Sequence, residues 1–139
     1  MLALWTLLAC AGPNQHLRQE GKDFDLLSRS ATLYWEAERW GDAERAAAFV
    51  EDPNDRALFK DELMERAAGH KLVTAEVLSV RMNPEEPDAA ANRRRTATVI
   101  VRTEGYEMPA QILQTAKLTQ TWYRSDFGWW VSWEPQLTP

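Results

Sequence analysis

The chain has 139 residues, is 45% hydrophobic and 27% charged, and carries a formal net charge of −5. A chain of that size and balance makes one globular domain that buries roughly two-thirds of its unfolded surface. The acidic excess argues against a nucleic-acid partner, because such binding depends on basic charge displacing counterions.

The N-terminus comes first. Met1-Leu2-Ala3-Leu4-Trp5-Thr6-Leu7-Leu8-Ala9 is apolar and uncharged, and it stops at Cys10, the single cysteine. The polar Gly12-Pro13-Asn14-Gln15 follows directly. The run is shorter than the ~20 residues a spanning helix needs, but it suits the apolar part of a secretory signal. Leu7-Leu8-Ala9-Cys10 resembles the lipobox of bacterial lipoproteins. That resemblance implies a signal peptide over residues 1–9, with Leu7 and Ala9 as cleavage determinants and Cys10 as the lipid attachment site. It also implies a domain facing the periplasm on a membrane anchor. Ala11 is not aspartate, which by the enteric sorting pattern favours the outer membrane.

Residues 11–22 are polar, with Gly12, Pro13 and Gly21, and read as a flexible tether. The expected organisation is therefore a lipidated cysteine and tether over 10–22 and one domain over 23–139.

Asp23 or Asp25 is placed to cap a first helix. Leu27, Ala31, Tyr34 and Trp35 then follow a helical period, with Glu36, Glu38 and Arg39 expected on another side. Gly41 suits a left-handed helix end, and Asp42 suits the cap of a short second helix through Ala46, Ala47 and Phe49. Asp52-Pro53 opens a third, with proline at the first turn, where its missing N–H costs nothing. Phe59, Leu63, Met64 and Ala67 form its expected buried stripe, and Gly69 ends it.

After Gly69 the period becomes alternating. Val73, Ala75 and Val77 share one parity, while Leu78, Val80 and Met82 share the other. A one-residue phase change predicts a β-bulge near Val77-Leu78 and a curved strand. Residues 83–92, with Pro84 and Pro87, read as a loop. Arg93-Arg94-Arg95, the one basic cluster in the sequence, reads as the solvated start of the next strand. Ala97, Val99 and Val101 alternate in that second strand, and 105–109 turns the chain. Ile112, Ala116, Leu118 and Trp122 share a face of the third strand, against Lys117, Thr119 and Thr121. Ser125-Asp126-Phe127-Gly128 is a tight connection, after which Trp129, Val131 and Trp133 alternate with Trp130 and Ser132. Consecutive strands with no room for crossover helices must be antiparallel. The expected fold class is α+β: N-terminal helices packed on a curved four-stranded antiparallel sheet, a cone with a pocket inside.

The Gly41-Asp42 step after an aromatic helix, the short helices before the first long strand, and the hairpin Trp122-Tyr123-Arg124 … Gly128-Trp129-Trp130-Val131 together resemble the nuclear transport factor 2-like superfamily, also called ketosteroid-isomerase-like or cystatin-like. The resemblance implies the same cone and a range of uses, from isomerases and dehydratases to binding and accessory domains, so it decides little about function.

Residue chemistry narrows the choice. His16 and His70 do not pair in sequence, so no metal or other cofactor is expected. No phosphate-cradling glycine loop or nucleophile elbow occurs. An isomerase reading would use Tyr34 as donor, Asp42 as base and His70, but helix capping alone accounts for Asp42, so no catalytic residue is assigned. Seven tryptophans are the stronger signal. Tyr34, Trp35, Trp122 and Trp130 are the candidate pocket or contact residues. The sequence therefore reads as a lipid-anchored envelope protein with a non-catalytic binding or assembly domain. Its expected partners are the membrane and an envelope protein, a small apolar ligand or a second copy. A small-molecule isomerase or dehydratase and a homodimeric scaffold are the alternatives.

Overall fold

The computed structural model describes residues 14–84 and 94–135, with side chains from residue 17 onward. Leu7, Ala9 and Cys10 lie outside the described residues. The elements run α1 (Asn14–Trp40), α2 (Ala43–Ala47), α3 (Pro53–Gly69), β1 (His70–Met82), β2 (Thr96–Glu107), β3 (Gln114–Ser125) and β4 (Gly128–Val131). The strands form one antiparallel meander in the order β1-β2-β3-β4, strongly curled around the helices. The α+β class is as the periodicity predicts.

Helix α1 begins at Asn14, so residues 14–22, expected as tether, are helical, and Asp23 and Asp25 lie inside the helix and do not cap it. Its buried face takes Leu27, Ala31, Tyr34 and Trp35 as expected, and also the charged Asp23 and Glu38. Glu38 is expected outside and lies inside because it follows Tyr34 by one helical turn.

The α1–α2 corner forms as the sequence predicts. Gly41 has φ +66°, a left-handed conformation with little cost only for glycine. Asp42 accepts a hydrogen bond from the Arg45 N–H and caps α2. Asp52 does the same for α3 through the Asn54 N–H, ahead of Pro53. On α3 only Phe59 and Leu63 are buried; Met64 and Ala67, expected in the same stripe, are exposed. This helix rides at the periphery and presents a narrow face to the core.

Strand β1 carries two register shifts, one between Val77 and Ser79 as expected and a second between Leu72 and Thr74. Val73 and Leu78 are the extra residues and turn outward, leaving Leu72, Ala75, Val77, Val80 and Met82 against the core. Strand β2 runs through Gly105 to Glu107, beyond the expected turn, and its odd-numbered residues from Ala97 to Gly105 are buried. Ile112 precedes β3 and is exposed, whereas Gln120 and Trp122 face inward and Leu118, itself 40% exposed, opens onto the same side. Tyr34 stands at the aromatic centre, edge-on to Trp35 and Trp122 at centroid distances of 5.4 and 5.7 Å.

The open edges are blunted. The Val131 N–H donates to the Phe49 carbonyl at 2.9 Å, so the α2–α3 connection covers part of β4. Two bulges twist β1 away from flat pairing.

Candidate functional site

The helices close one end of the curled sheet and leave the other open. A cavity of about 760 Å³ occupies the open end, between the C-terminal halves of α1 and α3, the start of β1 and the middle of β2 and β3. Its apolar walls are Trp35, Leu63, Leu72, Leu118 and Trp133, and charged residues including Glu62, Arg66 and Lys71 share the lining.

The lining is mixed, and one polar network crosses it. The Tyr34 hydroxyl donates to Glu38 Oε1 at 2.7 Å. Arg66 Nη2 donates to the same oxygen at 3.1 Å and to Oε2 at 2.9 Å. Gln120 Oε1 accepts from Trp35 Nε1 at 2.9 Å and more distantly from Trp122 Nε1 at 3.4 Å. Burial, then the neighbouring Glu38 carboxylate, pushes the Tyr34 hydroxyl well above the ordinary tyrosine range. Tyr34 is therefore a neutral hydrogen-bond donor throughout the physiological range. Glu38 is only 8% exposed, and its carboxylate is engaged at both oxygens.

Several polar side chains lining this cavity make no side-chain hydrogen bond among the described residues: Lys71, Ser132 and Glu134 toward its mouth, and two deeper ones. Thr103, buried on the inner face of β2, makes no side-chain hydrogen bond there, and neither does the half-buried imidazole of His70. His70 is both the cap residue after α3 and the first residue of β1. Its ring lies across Gly105, where a built Cβ would stand 2.8 Å from Nε2. Residues 103 and 105 share a face of β2 one pleat repeat apart, about 7 Å. The two deeper groups therefore project into one region of the cavity.

The sequence-stated candidates separate. Tyr34 and Trp35 line the cavity. Trp122 is fully buried behind its wall. Trp130 is on the outer face of β4, half-buried, with Nε1 donating to Ser125 Oγ at 2.6 Å and the Arg56 guanidinium 5.8 Å from its ring. Asp42 is occupied in capping α2 and does not line the cavity with Tyr34 and His70. Glu38, Arg66, Thr103 and Gln120 are among the lining residues that periodicity missed. The spacing of Tyr34 and Glu38 on one helical face was an available signal for the first.

Two further clusters serve architecture. Asp23, 6% exposed, accepts from Arg124 Nε at 3.4 Å and lies 3.8 Å from Arg95 Nη1. Arg95 also donates to Glu20 at 3.0 Å. The second joins Arg94 to Glu51, with the guanidinium 5.3 Å from the Tyr123 ring. The Arg94 hydrogen bond holds the Glu51 carboxyl below its usual range, while burial and then Glu51 push Tyr123 up. The described members of the arginine cluster are thus engaged with carboxylates.

No family model and no curated protein matches the sequence. Among solved structures, the chain is similar to a SEC-C motif containing protein from Rhodopseudomonas palustris, with a TM-score of 0.51 and 16% identity, covering 70% of this chain and 68% of that one. At that identity the likeness carries the fold alone: helices on a curled antiparallel half-barrel sheet.

Proposed function

We propose that this chain is a lipid-anchored protein of the bacterial cell envelope whose domain, of nuclear transport factor 2-like type, binds a small and largely apolar ligand in its open cavity without transforming it. One observation carries the reading. The buried carboxylate in the cavity is already bonded by Tyr34 and Arg66, whereas Thr103 and His70 retain free polar atoms beside aromatic and leucine walls. With its buried acid occupied and a hydroxyl and an imidazole available for hydrogen bonding, the pocket supports recognition of a bound ligand. Its volume falls in the usual range of roughly 300–1,000 Å³ for small-molecule sites. The anchor rests on Leu7-Leu8-Ala9-Cys10, and the intact mass of protein taken from its native membrane tests it.

The ligand reading is tested by titration with the neutral apolar fluorophore N-phenyl-1-naphthylamine. Saturable fluorescence enhancement is expected. Ala67→Trp, at an exposed helix position on the cavity wall, should abolish it while leaving the fold intact. Enhancement that survives this substitution would place the dye elsewhere and remove the reading. A mass of two chains in sedimentation, with the dye excluded, would favour the scaffold alternative.

A further inference from the structure

The end of the molecule opposite the cavity carries a different feature. Ser125 pairs with Gly128, so Asp126 and Phe127 form the tip of the β3–β4 hairpin. Phe127 is 94% exposed, the most exposed large apolar residue among those described. Turn tips favour residues that bond locally or tolerate unusual backbone angles, and phenylalanine does neither. Its ring is in no aromatic pair and outside the core cluster.

The hairpin is fixed to one place on α1. Trp129 Nε1 donates to the Asp23 carbonyl at 3.1 Å, and Arg124 Nε reaches the Asp23 carboxylate at 3.4 Å. From Asp23 the helix runs back to Asn14, a rise of about 14 Å at ~1.5 Å per residue. From the same level the hairpin extends outward to its tip, on the order of 10 Å at ~3.3 Å per residue. The two projections are similar in length and lie at the same end of the domain. Leu17 and Phe24, a heptad apart on one side of α1, are exposed there too, with Arg18, Lys22 and Asp25 exposed on the same turns. Cys10 is within about 15 Å of Asn14 even along a fully extended chain.

We propose that Phe127 seats in the headgroup boundary of the bilayer that holds Cys10, making the hairpin tip a second membrane contact that orients the domain. The proposal rests on the reading of Cys10 as the lipid attachment site. An aromatic ring at that depth keeps its apolar body among acyl chains, while Asp126 stays with water and Arg18 and Lys22 meet lipid phosphates. The cavity mouth, at the far end of α1, then faces away from the membrane and toward the aqueous compartment.

The test uses the acylated full chain in vesicles of phosphatidylethanolamine and phosphatidylglycerol. Acylation consumes the one native thiol, so Phe127→Cys and, in a separate protein, Ile112→Cys each carry a single nitroxide label. Both positions are exposed, and folding is not at issue. Paramagnetic collision with dissolved oxygen reports lipid, and collision with a water-soluble nickel chelate reports solvent. The expected result is a label at position 127 that collides with oxygen and is sheltered from nickel, with the reverse at position 112. Equal nickel collision at both positions would overturn the membrane contact and leave the anchor standing. A parent chain, without either substitution, that takes the label at Cys10 would instead remove the anchor on which the proposal depends.

Discussion

The imidazole of His70 occupies the space where a side chain on Gly105 would begin: a Cβ there would lie 2.8 Å from His70 Nε2 and 2.7 Å from the Lys71 carbonyl oxygen. The histidine can rotate, but the carbonyl belongs to the β1–β2 ladder, in which Lys71 pairs with Tyr106. Gly105→Ala should therefore destabilise the domain by about 1–3 kcal/mol, as forced contacts in packed regions do. Urea unfolding measures it. The double variant with His70→Ala should recover only part of the loss, because the backbone clash persists. Full recovery would mean that the ring alone demands glycine.

Tyr34 gives a pH signature. Burial and Glu38 raise its proton affinity in the folded state, so above its ordinary value near 10 the unfolded chain loses this proton more readily than the folded one. The folded state then binds more protons, and stability must fall as pH rises past that point. Tyr34→Phe removes this dependence along with one hydrogen bond to Glu38, worth about 1 kcal/mol. The stability advantage of the parent over this variant should be present at neutral pH and shrink toward about pH 11. A difference that stays constant over that range would place the Tyr34 hydroxyl in water.

What the sequence revealed and concealed follows from the range of each interaction. The caps at Asp42 and Asp52 and the bulge at Val77-Leu78 are local patterns, readable within a few residues. The bulge at Leu72-Val73 escaped because both residues are apolar, so Val73, Ala75 and Val77 mimic an unbroken alternation. The start of α1 escaped because residues 14–22 lack an apolar stripe, and the ion pair of Glu20 with Arg95 ties them to a residue distant in sequence. In the cavity, Tyr34 and Trp35 were legible as aromatics on a helical face. Thr103 and Gln120 were not, since strand threonines and glutamines look the same on either face until pairing fixes which side is buried.

The buried Asp23 illustrates the hidden class, since its partners Arg95 and Arg124 are distant in sequence. Asp23→Ala leaves both guanidinium groups, each about three-quarters buried, without their shared carboxylate, and the Nε of Arg95 already lacks a partner among the described residues. A loss of about 1–3 kcal/mol is expected, held below that of a fully buried pair by the residual exposure of the arginines. Glu20→Gln removes a more exposed partner of Arg95 and should cost less than about 1 kcal/mol. Added salt should erode the Glu20 contribution and spare that of Asp23. Equal costs for the two substitutions would deny Asp23 its role as the junction of α1 with the sheet.

Asp42 separates the binding reading from the enzymatic alternative. Its carboxylate accepts the Arg45 N–H at 3.1 Å, an interaction that asparagine reproduces and alanine does not. If capping is its whole contribution, Asp42→Ala lowers stability by about 1 kcal/mol and Asp42→Asn is close to neutral. Neither should change the affinity for N-phenyl-1-naphthylamine, because Asp42 does not line the cavity. A general base behaves in the opposite way: asparagine preserves the fold but cannot accept a proton, so turnover of a cavity-bound substrate would vanish in a protein of unchanged stability. The ratio of stability loss to functional loss across these two substitutions therefore distinguishes a helix cap from a catalyst at one position.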